Sequence, residues 1–267
     1  MGIMFEQCLE IVFNKKIIPG TFLLGFRSEE IVTTAKPGQF VMIRVRSGVA
    51  PLLRRPFSIC GTEGDDLFFV LYRVVGLGTA ILAETKKGER LSVLGPLGKG
   101  FEIPKNNQIP ILVAGGIGLA PLIFLAQAVK SRLIQFMMGF GSAMEIIAID
   151  PMVGLPVDVS IATDDGTSGY AGPVTDLLEA YLRQNRDQKE SLSVFTCGPG
   201  PMLKKLAALT IDRGIPCQVS LEAAMACGLG ACQGCAVKAS SDEKRAYFHV
   251  CKEGPVFPVQ AIDWKNL

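Results

Sequence analysis

The chain has 267 residues, 49% of them hydrophobic, a mean hydropathy of +0.35 and a formal net charge of +2. That length accommodates two domains and a small appendix, and the interspersed charges exclude a basic face of the kind that binds nucleic acid or anionic lipid. The opening "MGIMFEQCLEIVFNKK" lacks a basic segment, apolar core and cleavage site in succession, so no export signal is expected; a reducing, cytoplasmic setting follows, in which the eight cysteines form no disulfide framework.

The first third of the chain reads as β-structure. "FEQCLEIVFNKKI", "TFLLGFRS", "GQFVMIRVR", "RPFSICGT", "DLFFVLYRVV" and "GERLSVLGPLG" are short strand-like runs. Pro19-Gly20, Pro37-Gly38 and Gly95-Pro96 punctuate them, the pattern of a closed antiparallel barrel with "GTAILAETKKG" as a helical insert. Within it, "RRPFSI" carries Arg55, Pro56, Phe57 and Ser58. An arginine neutralises a pyrophosphate, an aromatic covers a ring and a serine hydrogen-bonds near a flavin N5, although an ordinary basic strand reads the same way. Pro56 cannot donate to a ladder and points to an edge or opening in the barrel. "YRVVGLGTAIL" then runs strand, glycine turn, helix, so that Gly76, Gly78 and Thr79 suit a phosphate at a helix N-terminus.

After "FEIPKNNQIP" the pattern changes to strands alternating with helices, the mark of a doubly wound parallel sheet. Residues 106–129 carry no charge and are long enough to span a bilayer. Pro110, Pro121 and the cluster Gly115, Gly116 and Gly118 argue instead for a buried strand, a glycine turn and a buried helix running on to "KSR", so no membrane span is expected. "ILVAGGIGLAP" can seat a dinucleotide pyrophosphate over its turn, with Pro121 in place of the third fingerprint glycine. Any tight strand-to-helix turn can look the same. "CGPGPML" places Cys197 at the carboxyl end of a buried strand, where it either packs against a nicotinamide ring or is an inert core thiol. In "ATDDGTSGYAG", Asp164 and Asp165 disfavour a 2′-phosphate and favour NAD over NADP, unless the loop is simply solvated.

"MACGLGACQGC" sets Cys227, Cys232 and Cys235 at the C-x4-C-x2-C spacing, and Cys251 follows after fifteen residues. This is the plant-type [2Fe–2S] arrangement, with glycines that let the loop curl around the sulfurs. A structural zinc site is the alternative, but such sites favour two separated C-x2-C pairs. A Rieske centre needs two histidines and the chain has only His249. The apolar tail "GPVFPVQAIDW" is either a docking surface near the cluster or an inward-packed strand.

The order of these motifs resembles the ferredoxin–NADP reductase superfamily. "SLEAAMACGLGACQGCAVK", "FHVCKEGPVF", "PLLRRPFSI", "VAGGIGLAPL" and "ATDDGTSGYAGPVTDLL" resemble, over essentially the whole chain, the electron-transfer subunits of dihydroorotate dehydrogenase B, a pyrimidine-biosynthesis enzyme. The resemblance implies an FAD-binding barrel over residues 1–102, an NAD-binding α/β domain over 103–217 and a [2Fe–2S] domain over 218–267. It implies FAD contacts at Arg55, Pro56, Phe57, Ser58, Tyr72, Arg73, Val74, Gly78 and Thr79, and cluster ligation by Cys227, Cys232, Cys235 and Cys251. The partner implied is an FMN-containing catalytic subunit, in a heterotetramer with two of each chain. Reductase subunits of the sulfide dehydrogenase or ferredoxin-oxidoreductase kind share this fold, but their cluster loop tends toward aspartate where this chain has Cys227. A zinc-binding scaffold on a degenerate reductase fold is the reading from a different class.

Overall fold

The structure, a computed structural model, describes residues 4–48, 50–105, 107–129, 133–149 and 157–267. Six antiparallel strands form the barrel: β1 (Phe5–Ile18), β2 (Thr21–Arg27), β3 (Phe40–Arg44), β4 (Arg55–Glu63), β5 (Leu67–Arg73) and β6 (Arg90–Leu97), in the order β1-β2-β5-β4-β3-β6. Alternating burial in β1 and continuous burial in β5 show which strands face water on one side and which are covered on both. Helix α2 (Leu77–Glu84) is the insert read from the sequence; α1 (Glu29–Thr34), capped by Ser28, was not foreseen.

Pairing of β4 with β5 begins only at Ile59–Val70 and runs to Glu63–Leu67. Residues 55–58 pair with β3 alone, Pro56 lying opposite Met42. The barrel therefore splays between the start of β4 and the end of β5. The opening expected from the missing N–H of Pro56 lies there.

The second sheet has the order β10-β9-β8-β7-β11-β12-β15. Its strands are β7 (Ile109–Gly115), β8 (Gln135–Phe140), β9 (Asp158–Thr163), β10 (Tyr170–Ala171), β11 (Leu192–Cys197), β12 (Cys217–Ser220) and β15 (Val256–Pro258). All neighbours are parallel except β12 and β15. From β7 the chain steps outward to β8 and β9, then returns to β11 on the other side of β7, which makes the β7–β11 boundary a topological switch point. Helices α3 (Leu119–Ala128), α4 (Val174–Gln184) and α5 (Gly200–Arg213) pack on this sheet.

The uncharged segment resolves into β7, a glycine turn and α3. Helix α3 is buried almost throughout because the sheet covers one side and the barrel the other: Phe124 joins the barrel core, and the Gln127 side chain accepts from the Thr62 N–H at 3.1 Å. Among the described residues no helix is long and apolar enough to cross a membrane, and the "KSR" end expected for α3 lies outside them.

The C-terminal region adds a small antiparallel pair, β13 (Ala236–Lys238) and β14 (Tyr247–His249), before β15 rejoins the large sheet. The join expected at residue 218 falls inside β12. One apolar core unites Phe40, Met42 and Leu97 of the barrel, Val194 and Leu206 of the α/β layer, and Phe248, Cys235 and Cys251 of the C-terminal region. The tail packs inward: Phe257, Val259 and Ile262 are buried, and Trp264 donates to the Val259 carbonyl at 2.6 Å. Burial of those apolar side chains decides this outcome over a docking surface.

Candidate functional site

The splayed end of the barrel opens into a cavity of about 350 Å³. Arg55, Pro56, Phe57, Ser58, Tyr72, Arg73 and Thr79 line it, while Val74 and Gly78 stand outside the lining. Gly78 has a different part: a Cβ built there would lie 2.4 Å from Arg55 Nε, so its bare backbone lets the guanidinium rest on the first turn of α2. A guanidinium held against the positive end of a helix dipole is a cradle for an anion. Thr79 Oγ1 accepts from the Val75 and Gly76 N–H groups at 2.9 and 3.2 Å, closing the turn below it rather than facing a phosphate alone. Tyr72, stacked on Phe22 with centroids 5.5 Å apart, donates its hydroxyl to Asn14 at 3.1 Å; burial pushes its pKa up to about 12, so it remains a neutral wall. The donor set and the aromatic wall fit a flavin nucleotide.

Sequence reading missed half of this cavity. Ile117 comes from the turn before α3 and Ala120 and Pro121 from its first turn, while Ser220 ends β12 and Leu221, Glu222, Ala223 and Met225 follow it toward the cysteine loop. Nothing periodic marks those residues; only the meeting of three regions puts them on one wall.

A second cavity of about 460 Å³ lies at the carboxyl ends of the parallel strands. Gly115, Gly116, Gly139, Gly141 and Asp164 line it from the ends of β7, β8 and β9 and the residues just beyond them, Pro199 from the turn after β11 and Met202 from the first turn of α5. Gly116 has φ +53° with no atom within 4 Å of a built Cβ, so its backbone faces open space as a phosphate turn requires. Gly118 does not line the cavity. A Cβ there would come within 2.4 Å of the Cys197 carbonyl oxygen, so this glycine serves close packing of α3 on β11. Lys205, Glu145 and Arg73 also line the cavity and were not foreseen there; Arg73 lines both cavities. Asp165 lies outside the lining, its carboxylate held below the usual range by hydrogen bonds from Thr167.

Cys197 is 1% exposed and lines neither cavity. It stands between them. Ser220 and Glu222 of the flavin-cavity wall flank its thiol, and a Cβ on the next residue, Gly198, would be 2.6 Å from Met202 of the second cavity. Burial above all, with the nearby Glu222 carboxylate, pushes the thiol far above the usual range, so it is a neutral S–H and no nucleophile.

The cysteine loop gathers its four thiols as two pairs. Cys235 Sγ and Cys251 Sγ are 3.2 Å apart, brought together by the pairing of β13 with β14. Cys227 and Cys232 form the other pair: Cys227 Sγ accepts from the Leu229 and Cys232 N–H groups at 3.3 and 3.4 Å. Gly230 N–H points at Cys251 Sγ at 3.1 Å. Burial raises the Cys227 pKa, but the amides of Cys232, Leu229 and Ala231 outweigh it and bring it down to about 6. Two thiolates for each of two irons is the division a [2Fe–2S] cluster makes, and the amides aimed at sulfur fit it. Gly228, with φ +72° and a built Cβ 2.8 Å from Met42 Cγ, seats the loop on the barrel. His249 is not part of the set; its Nδ1 lies 3.2 Å from Glu253.

The model of the iron–sulfur cluster binding domain of dihydroorotate dehydrogenase B matches residues 222–263. The dihydroorotate dehydrogenase B (NAD(+)) electron transfer subunit of Desulforamulus reducens is 37% identical over 263 residues, covering 95% of this chain and 99% of that protein. Its namesake from Caldanaerobacter subterraneus subsp. tengcongensis is 39% identical over 226 residues, 85% of this chain and 86% of that one. Among solved structures, that of the NADH-dependent reduced ferredoxin–NADP oxidoreductase, a flavin-based electron-bifurcating enzyme, superposes with a TM-score of 0.84 at 30% identity, covering 98% of this chain and 91% of that chain. The two cavities, the paired thiols and this full-length similarity agree: the chain belongs to the family of dihydroorotate dehydrogenase B electron-transfer subunits.

Proposed function

We propose that this chain relays electrons between NAD⁺ and an FMN-containing dihydroorotate dehydrogenase catalytic subunit in the cytoplasm, in a heterotetramer with two of each chain. It would hold FAD in the barrel cavity, NAD(H) in the second cavity and a [2Fe–2S] cluster on Cys227, Cys232, Cys235 and Cys251. One observation carries the reading: the wall of the flavin cavity runs directly into the cluster loop. Met225 lines the cavity, and Cys227, a candidate ligand, is two residues further on. The domain limits 1–102, 103–217 and 218–267 serve this division, with β12 and β15 tying the third unit to the second.

When bound, a flavin exchanges a hydride with nicotinamide and passes electrons singly, as an iron–sulfur cluster must. The chain's own residues bind and orient. Arg55 and the N-terminus of α2 hold a pyrophosphate, Phe57 and Tyr72 shape the ring's slot, and Ser58 offers a hydroxyl beside it. Gly115 and Gly116 let a dinucleotide approach the backbone, and Asp164 meets a free 2′-hydroxyl. Cys197 is buried and lines neither cavity, so its neutral thiol would meet a nicotinamide ring only where a bound nucleotide reaches the wall between them.

The structural likeness to the ferredoxin–NADP oxidoreductase favours a second reading, a relay in another reductase complex. Anaerobic purification with and without a co-expressed catalytic subunit, with visible spectra before and after NADH, tests both. Flavin and iron–sulfur bands that bleach with NADH, and orotate-linked turnover only with the partner, are expected. A colourless chain after reconstitution overturns the relay; bleaching without partner-dependent turnover turns the assignment to the second reading.

A further inference from the structure

Arg73, the last residue of β5, stands on the wall shared by the two cavities. Its Nη2 lies 3.3 Å from Oε2 of Glu145, in the loop after β8. The contact crosses from the barrel to the parallel sheet. The side chains are 37% and 42% exposed, so the pair adds little to the stability of the fold. Its position matters more. Glu145 lines the second cavity, and its Oε1 lies 2.9 Å from a Cβ built on Gly141, another lining residue. The carboxylate thus occupies space and carries negative charge where an anionic nucleotide would enter.

The second cation of that cavity is also engaged. Lys205 Nζ lies 2.5 Å from Asp176 Oδ1. Asp164 adds a further carboxylate to the lining. A nucleotide phosphate therefore meets a cavity whose two cations, Arg73 and Lys205, are both already paired.

We propose that Glu145 competes with the phosphates of the incoming nucleotide for Arg73, and so sets the affinity of the second cavity. The proposal rests on the reading of that cavity as a dinucleotide site. Competition differs from simple repulsion. If Glu145 only added charge, its removal would help the nucleotide equally with or without Arg73. If the two anions share one guanidinium, the benefit depends on Arg73 being present.

The test uses the flavin- and cluster-loaded chain with ADP-ribose, a dinucleotide fragment that cannot reduce the flavin. Glu145→Gln should bind ADP-ribose about two- to fivefold more tightly than the wild type at low ionic strength, the range expected of an exposed charge pair. The gain should fade with added salt while Tm stays unchanged. In an Arg73→Gln background, kept saturated with added FAD, the same change should give much less of that gain; Arg73→Met, which also removes the charge, replaces it if that variant does not fold. Unchanged or weaker binding in Glu145→Gln, or an equal gain in both backgrounds, overturns the proposal. A wild-type chain that neither binds ADP-ribose nor is bleached by NADH removes the dinucleotide reading itself, a different failure.

Discussion

Cys235 and Cys251 hold their sulfur atoms 3.2 Å apart, although sixteen positions separate them in the chain. The register of β13 with β14 makes the contact, placing Ala236, next to Cys235, opposite His249, two residues before Cys251. Cys227 and Cys232 are joined by the loop itself, the Cys232 N–H donating to Cys227 Sγ at 3.4 Å.

Cys251→Ala should therefore lose the cluster and keep the flavin. Iron should fall from about two per chain toward zero. Flavin content should persist, because Cys251 lines no part of the barrel cavity. The stability cost of the lost sulfur in a buried site is about 1 kcal/mol. Iron analysis beside the flavin absorbance checks it; retained iron would remove Cys251 from the ligand set.

Gly116→Ala and Gly118→Ala should fail differently. At Gly116 the new methyl meets open space, and the left-handed backbone costs about 1–2 kcal/mol. The methyl projects at the second cavity, so KM for NADH should rise with kcat nearly intact. At Gly118 the methyl meets the Cys197 carbonyl, a backbone atom in the middle of the sheet. Roughly 1–3 kcal/mol of overpacking and a fall of kcat are expected as β11 shifts. Thermal melts and steady-state kinetics with ferricyanide separate the two.

Gly78→Ala tests the anion cradle. Alanine suits a helix better than glycine by up to about 1 kcal/mol, so the flavin-free chain should be no less stable. The methyl must push Arg55 off the first turn of α2, and flavin affinity should drop roughly tenfold or more, as for a lost charge-assisted bond. Unchanged flavin retention would show that Arg55 binds from elsewhere.

Glu179 joins α4 to α5. It accepts from Arg183 at 2.8 Å and from Arg213 at 3.2 Å, and these contacts, Arg183 first, hold its carboxyl below its ordinary 4.5. A depressed folded pKa stabilises the native state above the unfolded value and loses that contribution as pH falls through the folded one. Glu179→Gln should thus melt slightly earlier than the wild type at neutral pH, and the difference should close as pH drops below 4.5. A gap that persists in acid would contradict the assignment.

The barrel, the parallel sheet and the cluster loop were legible because each rests on local pattern. Glycine and proline punctuation separates the strands, strand-helix alternation marks the parallel sheet, and the Cys227–Cys232–Cys235 spacing needs only a curled loop. Helix α1 was not legible, being a single short turn set by the Ser28 cap. The tail was ambiguous because an apolar run suits a partner surface and a buried strand equally well. The turn at Gly118 is legible as a pyrophosphate seat, but the close approach of the Cys197 carbonyl to this glycine is a long-range contact that no local pattern shows.

The sequence by itself determined the chemistry available: an arginine and a serine at the start of a barrel strand, a glycine turn after a buried strand, and four thiols at iron–sulfur spacing. These are short-range facts, since backbone freedom and donor identity are fixed by neighbouring residues. Only the tertiary structure decided which groups share a wall. Arg73 ends a barrel strand and Glu145 follows a strand of the parallel sheet, Met225 and Ser58 come from different layers, and Cys235 and Cys251 flank paired strands. Such meetings depend on strand register and on the burial of a common core, quantities that belong to the whole chain and to no single stretch of it.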